Sequence, residues 1–373
     1  MPAPFGAASS RHPVTAAATG AVAGPLLEAV GPSPDLVVVT VSPEHGHHLA
    51  EVARTVGAAL RTAAVVAVRS PAVVADGRIV GGPAVAGWAG SVGPTTIAHL
   101  GPGAGPATDG WPVDLHHRCA GVILVADARA ADGPALASAC RRHAPATPVA
   151  GGLVAPPDDG MPVLATPGGV APGGAVALLL ERPGALDVAA SHGARPFGPP
   201  ATVTAAEGRR VRRIASGTAL EYLARAARAA GDGALGTAGL HLGVALRDGP
   251  GDPVPGDVVV HAVTAVDRAS GAVDLDGPVP LGATVRCYGR DATSARDALL
   301  GALLDRSPGG ALVFADASRR SLAPGGHDDA AVVAGAVPGA PVAGMVTVGT
   351  FSPAAGSTHV QHHAVTVACL HAR

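Results

Sequence analysis

Residues 121–130 read GVILVADARA and are followed at 147–152 by TPVAGG; residues 310–320 read GALVFADASRR and are followed at 340–345 by APVAGM. In each copy a run of aliphatic residues, Val122–Ala126 or Ala311–Ala315, has the length and composition of a strand buried on both faces. A loop of polar side chains comes next, then a helical stretch at Pro134–His143 or His327–Ala336. A Pro-x-Ala-Gly segment (Pro148 to Gly151, Pro341 to Gly344) then opens a second strand. Strand, crossover helix and strand make a β-α-β unit, and such units set their strand-end loops along one rim of a sheet. The recurrence points to duplication.

Working outward, Leu36–Val41 is another continuous β-branched run. It leads through Ser42-Pro43-Glu44 into a helical segment near His47–Leu60 and a second strand, Ala64–Val68, the same unit that then recurs twice. Thr15–Val30 reads as an Ala-rich helix behind a loose leader. Downstream, Thr218–Ala230 is a helix capped by Ser216 or Thr218, and Gly256–Ala265, Gly271–Leu275 and Ala283–Tyr288 read as antiparallel strands. Asp291 caps a helix over Ala292–Asp305 whose Leu299, Leu300, Leu303 and Leu304 are expected on one face. The expected fold class is mixed α/β (α+β): two layered domains of repeated strand-helix-strand units, mixed sheets and helices outside. The expected organisation is leader and first helix at 1–34, one domain at 35–185, a Gly/Pro-rich connecting segment at 186–207, and a second domain at 208–373.

Composition excludes several chemistries. All 26 basic residues are Arg, and the chain has no Lys or Asn and a single Gln, Gln361, the signature of a GC-rich genome. Phosphate loops, kinase sites and imine-forming enzymes that need an ε-amino group cannot be built. A formal charge of −2 with few aromatics argues against nucleic acid. No segment has the 18 or more apolar residues of a membrane span, and the N-terminus lacks the apolar core of a signal peptide, so a cytoplasmic protein without membrane insertion is expected. Cys119, Cys140, Cys287 and Cys369 are too dispersed for a disulfide framework or a thiolate zinc site.

Histidines number 16, and THVQHH brings His359, His362 and His363 together. If the strand implied by AVTVACL extends through them, His359 and His363 share one face, with no carboxylate nearby to complete a metal shell. A solvated edge strand without metal is expected. The pairs His47–His48 and His116–His117 diverge on either kind of element. Gly-x-Ser-x-Gly is absent, which leaves Arg69-Ser70-Pro71 as the nearest thing to a nucleophile turn. Asp158–Asp159 and Asp328–Asp329 read as loop or helix-capping acids.

Taken in order, PDLVVVTVSPE, GVILVADA with TPVAGG, GGAVALLL, GARPFGPPATVT, SGTALEYL, GALVFADASRR and PVAGMVTVGTFSP with HVQHHAVTV resemble the FIST family, in its N-terminal and then its C-terminal domain, from Asp35 to Leu370. The resemblance implies an intracellular sensory role in signal transduction with small ligands such as amino acids. Some relatives resemble haem-based nitric-oxide sensors acting on a histidine kinase. The sequence departs from the family pattern at three rim positions. Val68-Arg69-Ser70 stands for the usual Gly-Cys-Ser, Asp316 and Arg319-Arg320 stand for Cys and Arg-Gly, and Gly349-Thr350 stands for Gly-Glu. The expectation is a non-enzymatic sensor without a cofactor. Its amino-acid-like ligand meets Arg69, Ser70, Asp316, Arg319, Arg320 and Thr350 in a strand-end pocket, guanidinium to carboxylate and Asp to amine, and it signals through a histidine kinase or receptor. The rivals are a docking protein with a degenerate pocket, a haem sensor, and a hydrolase using Ser70 or Cys119.

Overall fold

The computed structural model describes residues 2–101, 110–111, 119–171, 174–231, 239–247, 256–322 and 327–373; the pair His116–His117 lies outside them. Three strand-helix-strand units are present. Val149–Val154 runs parallel to Gly121–Asp127 across the helix Gly133–His143, and Val342–Thr347 runs parallel to Gly310–Asp316 across Asp329–Ala336. Leu36–Val41 and Val65–Arg69 repeat this pairing across Leu49–Leu60. In register, Leu124 faces Gly151, Val313 faces Gly344 and Val39 faces Ala67. The N-terminal copy is therefore a third repeat, with Ala67 where the other two carry the motif glycine.

Each unit nucleates a six-stranded mixed sheet, and the three sheets share one order. The first runs Phe5–Ser10, Val85–Gly90, Leu36–Val41, Val65–Arg69, Leu164–Thr166, Gly169–Val170. The second runs Thr95–Leu100, Ala175–Leu180, Gly121–Asp127, Val149–Val154, Gly349–Ala354, Ser357–Gln361. The third runs Leu186–Ser191, Val365–Leu370, Gly310–Asp316, Val342–Thr347, Val73–Ala75, Arg78–Val80. The last two strands of every sheet are a hairpin donated by another unit. The first unit gives 73–80 to the third sheet, the second gives 164–170 to the first, and the third gives 349–361 to the second. The repeats are thus interleaved in a ring rather than set side by side.

One face of each sheet turns to a shared core, where Val38, Val66, Ile123, Leu178, Phe314 and Met345 pack together. The opposite faces are covered by helices: Thr15–Val30 and Leu49–Leu60 on the first, Gly133–His143 on the second, Ala292–Leu303 and Asp329–Ala336 on the third. Burial on both faces explains the unbroken aliphatic runs.

Three local expectations are corrected. Phe5–Ser10, placed in a loose leader, pairs with Val85–Gly90 because Phe5 packs on Trp88 with ring centroids 5.5 Å apart. Residues 186–207, read as a connecting segment, form the strands Leu186–Ser191 and Ala194–Glu207. Asp291 does cap the helix Ala292–Leu303, but only Leu299 and Leu303 are buried, while Leu304 is 69% exposed beyond the helix end.

Between Ser191 and Asp291 the third unit carries an inserted barrel. Its strands run Ala194–Glu207, Thr284–Arg290, Leu240–Ala245, Val258–Asp267, Ala272–Leu275 and Arg210–Ile214, and the first also pairs with the last, closing the ring. The helix Ala219–Ala230 begins at a capping box formed by Thr218 and Glu221 and lays Tyr222, Leu223 and Ala226 on the barrel core.

Candidate functional site

The strand-end residues singled out in the sequence fall in separate places, and most bond to the protein itself. Arg69 ends Val65–Arg69, is 1% exposed, and sends Nη1 to Asp159 Oδ1 at 2.7 Å and Nη2 to Asp159 Oδ2. This pairing holds the Asp159 carboxyl below the usual carboxylate range. Ser70 is fully buried; its hydroxyl lies 2.7 Å from the Ala72 carbonyl and 2.8 Å from that of Val346, and accepts from the Val346 N–H at 3.1 Å. It fastens the first unit to the third sheet. Thr350 is buried in the exchanged hairpin and donates to the Gln361 carbonyl at 3.4 Å. Arg320 is exposed on the short helix Ala317–Leu322.

Asp316 and Arg319 do come together, at the junction of the third sheet and the barrel. Asp316 accepts from the backbone N–H groups of Ser318 (2.9 Å) and His363 (3.1 Å). Arg319, 1% exposed, forms a two-pronged pair with Asp329, Nε and Nη2 each at 2.7 Å, while Nη1 donates to the carbonyls of Ser191, His192 and His363. His327 adds a 2.8 Å contact to the same carboxylate. Burial opposes ionisation of Asp329, but the Arg319 guanidinium outweighs it and holds the carboxyl below its ordinary value. Of the two acids at 328–329, Asp328 is the helix cap expected; Asp329 instead neutralises a buried cation.

The histidine cluster is corrected as well. The strand ends at Gln361, and His363 adopts a left-handed conformation (φ 59°) that swings its ring away. There Nε2 meets Asp276 Oδ2 at 2.5 Å and Nδ1 meets the Ser318 hydroxyl at 2.8 Å. Asp276, contributed by the barrel, also receives His261 Nδ1 at 3.1 Å and the Ala262 N–H at 3.1 Å. Burial raises its carboxyl, but the two imidazoles prevail and hold it below the usual range. The sequence offered no signal for this partner, which lies 87 positions away. Among the described residues, no group of three or more His, Cys, Asp or Glu is arranged to hold a metal ion.

Beside this junction opens a cleft of about 740 Å³ between the barrel rim, the helix Gly133–His143 and the exchanged hairpin, lined by Asp276, His261, His362, His359, Arg141 and Arg209 among others. Arg141 is anchored to the Thr358 carbonyl at 2.6 Å, while the Arg209 guanidinium is exposed and has no partner among the described residues. The volume falls within the range of small-ligand pockets. Elsewhere, burial pushes the Cys119 thiol up to about 11, far from a reactive thiolate.

Two further imidazoles sit deeper. Burial, with the nearby Arg290 cation, pushes His192 and His241 down to about 3, so both are neutral when folded. Unfolded, each takes up a proton near pH 6.5. The unfolded chain therefore binds more protons between these values, and the stabilisation present above pH 6.5 is lost as pH falls towards 3. Urea unfolding at stepped pH is expected to show stability falling by about 1.4 kcal/mol per pH unit for each histidine below pH 6. A His241→Phe protein should lose close to half that slope, and an unchanged slope would contradict the assignment.

Three sheets of β-α-β units with helices outside, one interrupted by a barrel that walls a cleft of ligand size, define a mixed α/β protein. The chain belongs to the FIST family: it matches the FIST N domain over residues 35–216 and the FIST C domain over 219–353, domains associated with sensory signal transduction. Uncharacterized proteins of two Mycobacterium tuberculosis strains, CDC 1551 and H37Rv, are 30% identical over 93% of this chain and 94% of their own length. A Mycobacterium bovis protein, also uncharacterized, is 30% identical over 44% of this chain and 45% of its own. No helix among the described residues is long and apolar enough to cross a membrane.

Proposed function

We propose that this chain is a non-enzymatic cytoplasmic sensor that binds a small amino-acid-like ligand in the cleft beside the barrel and signals through a partner protein, a histidine kinase or receptor. The carrying observation is that opposite charges of the barrel rim, Asp276 and Arg209, line the same cleft. Asp276 lies on one wall, kept ionised by His261 and His363, and the unpaired Arg209 lies at the rim. A ligand ammonium group fits the first and its carboxylate the second. The reading places the ligand here rather than in a strand-end pocket because none of Arg69, Ser70, Asp316, Arg319, Arg320 and Thr350 is among the residues that line the cleft, and Ser70, Arg319 and Thr350 are buried in bonds within the protein.

A thermal-shift screen of amino acids and related metabolites tests the cleft. At least one zwitterion should raise the unfolding midpoint in proportion to the logarithm of its concentration. Asp276→Asn should weaken that ligand by about tenfold to a hundredfold. A screen without a stabilising compound, or a hit indifferent to both Asp276→Asn and Arg209→Gln, would remove the cleft as the ligand site.

A further inference from the structure

Among the described residues, Thr15, Ser357 and Ser318 each set a hydroxyl against an imidazole nitrogen: Thr15 at His45 Nδ1 (2.9 Å), Ser357 at His359 Nε2 (3.0 Å) and Ser318 at His363 Nδ1 (2.8 Å). Of these imidazoles only His363 has its other ring nitrogen on a carboxylate, Asp276 Oδ2 at 2.5 Å from Nε2. His45 Nε2 is buried without a partner. An ionised carboxylate only accepts, so Asp276 keeps hydrogen on Nε2 and leaves the Nδ1 lone pair of the neutral ring to accept the Ser318 O–H. Asp276 is itself held by His261 Nδ1 and the Ala262 N–H, each at 3.1 Å. His363 is clamped in a left-handed conformation (φ 59°) that is costly for a side chain. Its N–H donates to Asp316 at 3.1 Å, and its carbonyl accepts from Arg290 Nη2 at 2.9 Å and Arg319 Nη1 at 3.3 Å. The charged residues of the junction therefore aim one imidazole at one hydroxyl. Ser318 is half-buried, near exposed Ala317 and Arg320 on the same short helix, so this end of the chain of hydrogen bonds lies at the surface.

We propose that Ser318 is an acyl-acceptor site, with His363 as its general base and Asp276 orienting that base, and that it takes an acyl group from an ester with a good leaving group. The serine oxygen bonds the carbonyl carbon while its proton passes to His363 Nδ1. The bond to the leaving group breaks, and that group departs with the electron pair and takes the proton back from the ring. The imidazolium formed in between lies against the Asp276 carboxylate, which stabilises it. Relative to the familiar order of serine hydrolases the two ring nitrogens are exchanged, and either serves as the base once the other carries hydrogen. The product is an ester on the protein, a modification that goes beyond ligand sensing and does not rest on it. The cleft lining includes Asp276 but neither Ser318 nor His363.

The test treats the full chain with p-nitrophenyl acetate and, separately, with diisopropyl fluorophosphate, from which the same oxygen displaces fluoride to leave a lasting phosphoryl adduct. Cleavage after arginine leaves Ser318 in the fragment 307–319, where Ser307 is the only other serine, and mass spectrometry locates the label. Ser318 is expected to carry the adduct. Exposed Ser307, and Ser357 whose imidazole lacks a carboxylate, should stay unmodified. Ser318→Ala should abolish the adduct. His363→Asn, a residue that tolerates the left-handed backbone, should slow Ser318 labelling by about a hundredfold or more, and Asp276→Asn by about tenfold or more. Should the His363 variant fail to fold, the parent chain unfolded in urea serves instead, and its Ser318 should fall to the reactivity of Ser307. Ser318 unlabelled by both probes, or labelled as fast in His363→Asn, in Asp276→Asn or in urea, would overturn the site and leave these hydrogen bonds the sole task of joining barrel to third sheet.

Discussion

An Asp329→Asn protein is expected to be about 3–5 kcal/mol less stable than its parent at neutral pH, the range found when one partner of a buried ion pair is removed. Arg319 and Asp329 are both 1% exposed, and the guanidinium cannot reach water when its counter-charge disappears. Asparagine keeps the shape and some hydrogen bonding but leaves the cation uncompensated. Replacing both residues together, Arg319→Met with Asp329→Leu, should cost less than Asp329→Asn alone, since neither member of the pair is then left as an uncompensated buried charge. Acid should report the same pair. Because the folded carboxyl titrates below its usual value, its stabilisation is complete above about pH 4 and disappears as pH falls below that. Asp329→Asn should lack this component. A urea-derived loss under about 1 kcal/mol would show that the junction relaxes to admit water.

Gly151→Ala and Gly344→Ala should each cost about 4 kcal/mol or more, or prevent folding, which is exceptional for one added methyl group. A Cβ on Gly151 would lie 1.8 Å from the Leu124 carbonyl oxygen, and one on Gly344 would lie 2.0 Å from that of Val313. Both obstacles are backbone atoms of the paired parallel strand and cannot rotate away. The equivalent position in the first repeat is Ala67, which faces Val39 as Gly151 faces Leu124, so the same architecture accepts a side chain there. Ala67→Gly is therefore the matched control, with an expected loss of about 0.5–1 kcal/mol from chain entropy. Circular dichroism and unfolding of the three proteins would decide; a stable, native-like Gly344→Ala would refute the close-approach explanation.

The repeat glycines also show what could be read in advance. Two units were visible because strand spacing forces the same residue at 151 and 344. The first unit, at Leu36–Val68, was legible as the same strand-helix-strand pattern from its β-branched runs, although Ala67 in place of the glycine gives it no share in the repeated text. Mixed sheets and outer helices were legible from unbroken aliphatic runs, since burial on both faces writes itself into composition. Hairpin exchange was not, because 73–80 and 349–361 pair by open sheet edges rather than by residue type. At the candidate site, Asp316 and Arg319 were found through the repeat and do share one junction. Their partners, backbone N–H groups and Asp329, were not legible, because a rim charge and a buried charge have the same letter in the sequence. Asp276 and Arg290 went unmarked, each lying in barrel strands or turns whose partners come from distant loops.

The ring of exchanged hairpins also dictates how this chain has to be made. Val73–Ala75 emerges early in synthesis, yet its partner is Val342–Thr347, and Ser70 reaches the Val346 carbonyl across 276 positions. Until residues 310–370 have been made the third sheet lacks its central strands, and the first hairpin waits as an unpaired edge. Long-range closure of this kind slows folding and leaves nascent strands open to wrong pairings. A ribosome stalled after the first match to the family would hold a chain in which no sheet but the first has all its strands. Commitment to the native state therefore waits on the strands between Gly310 and Leu370 and not on any early domain.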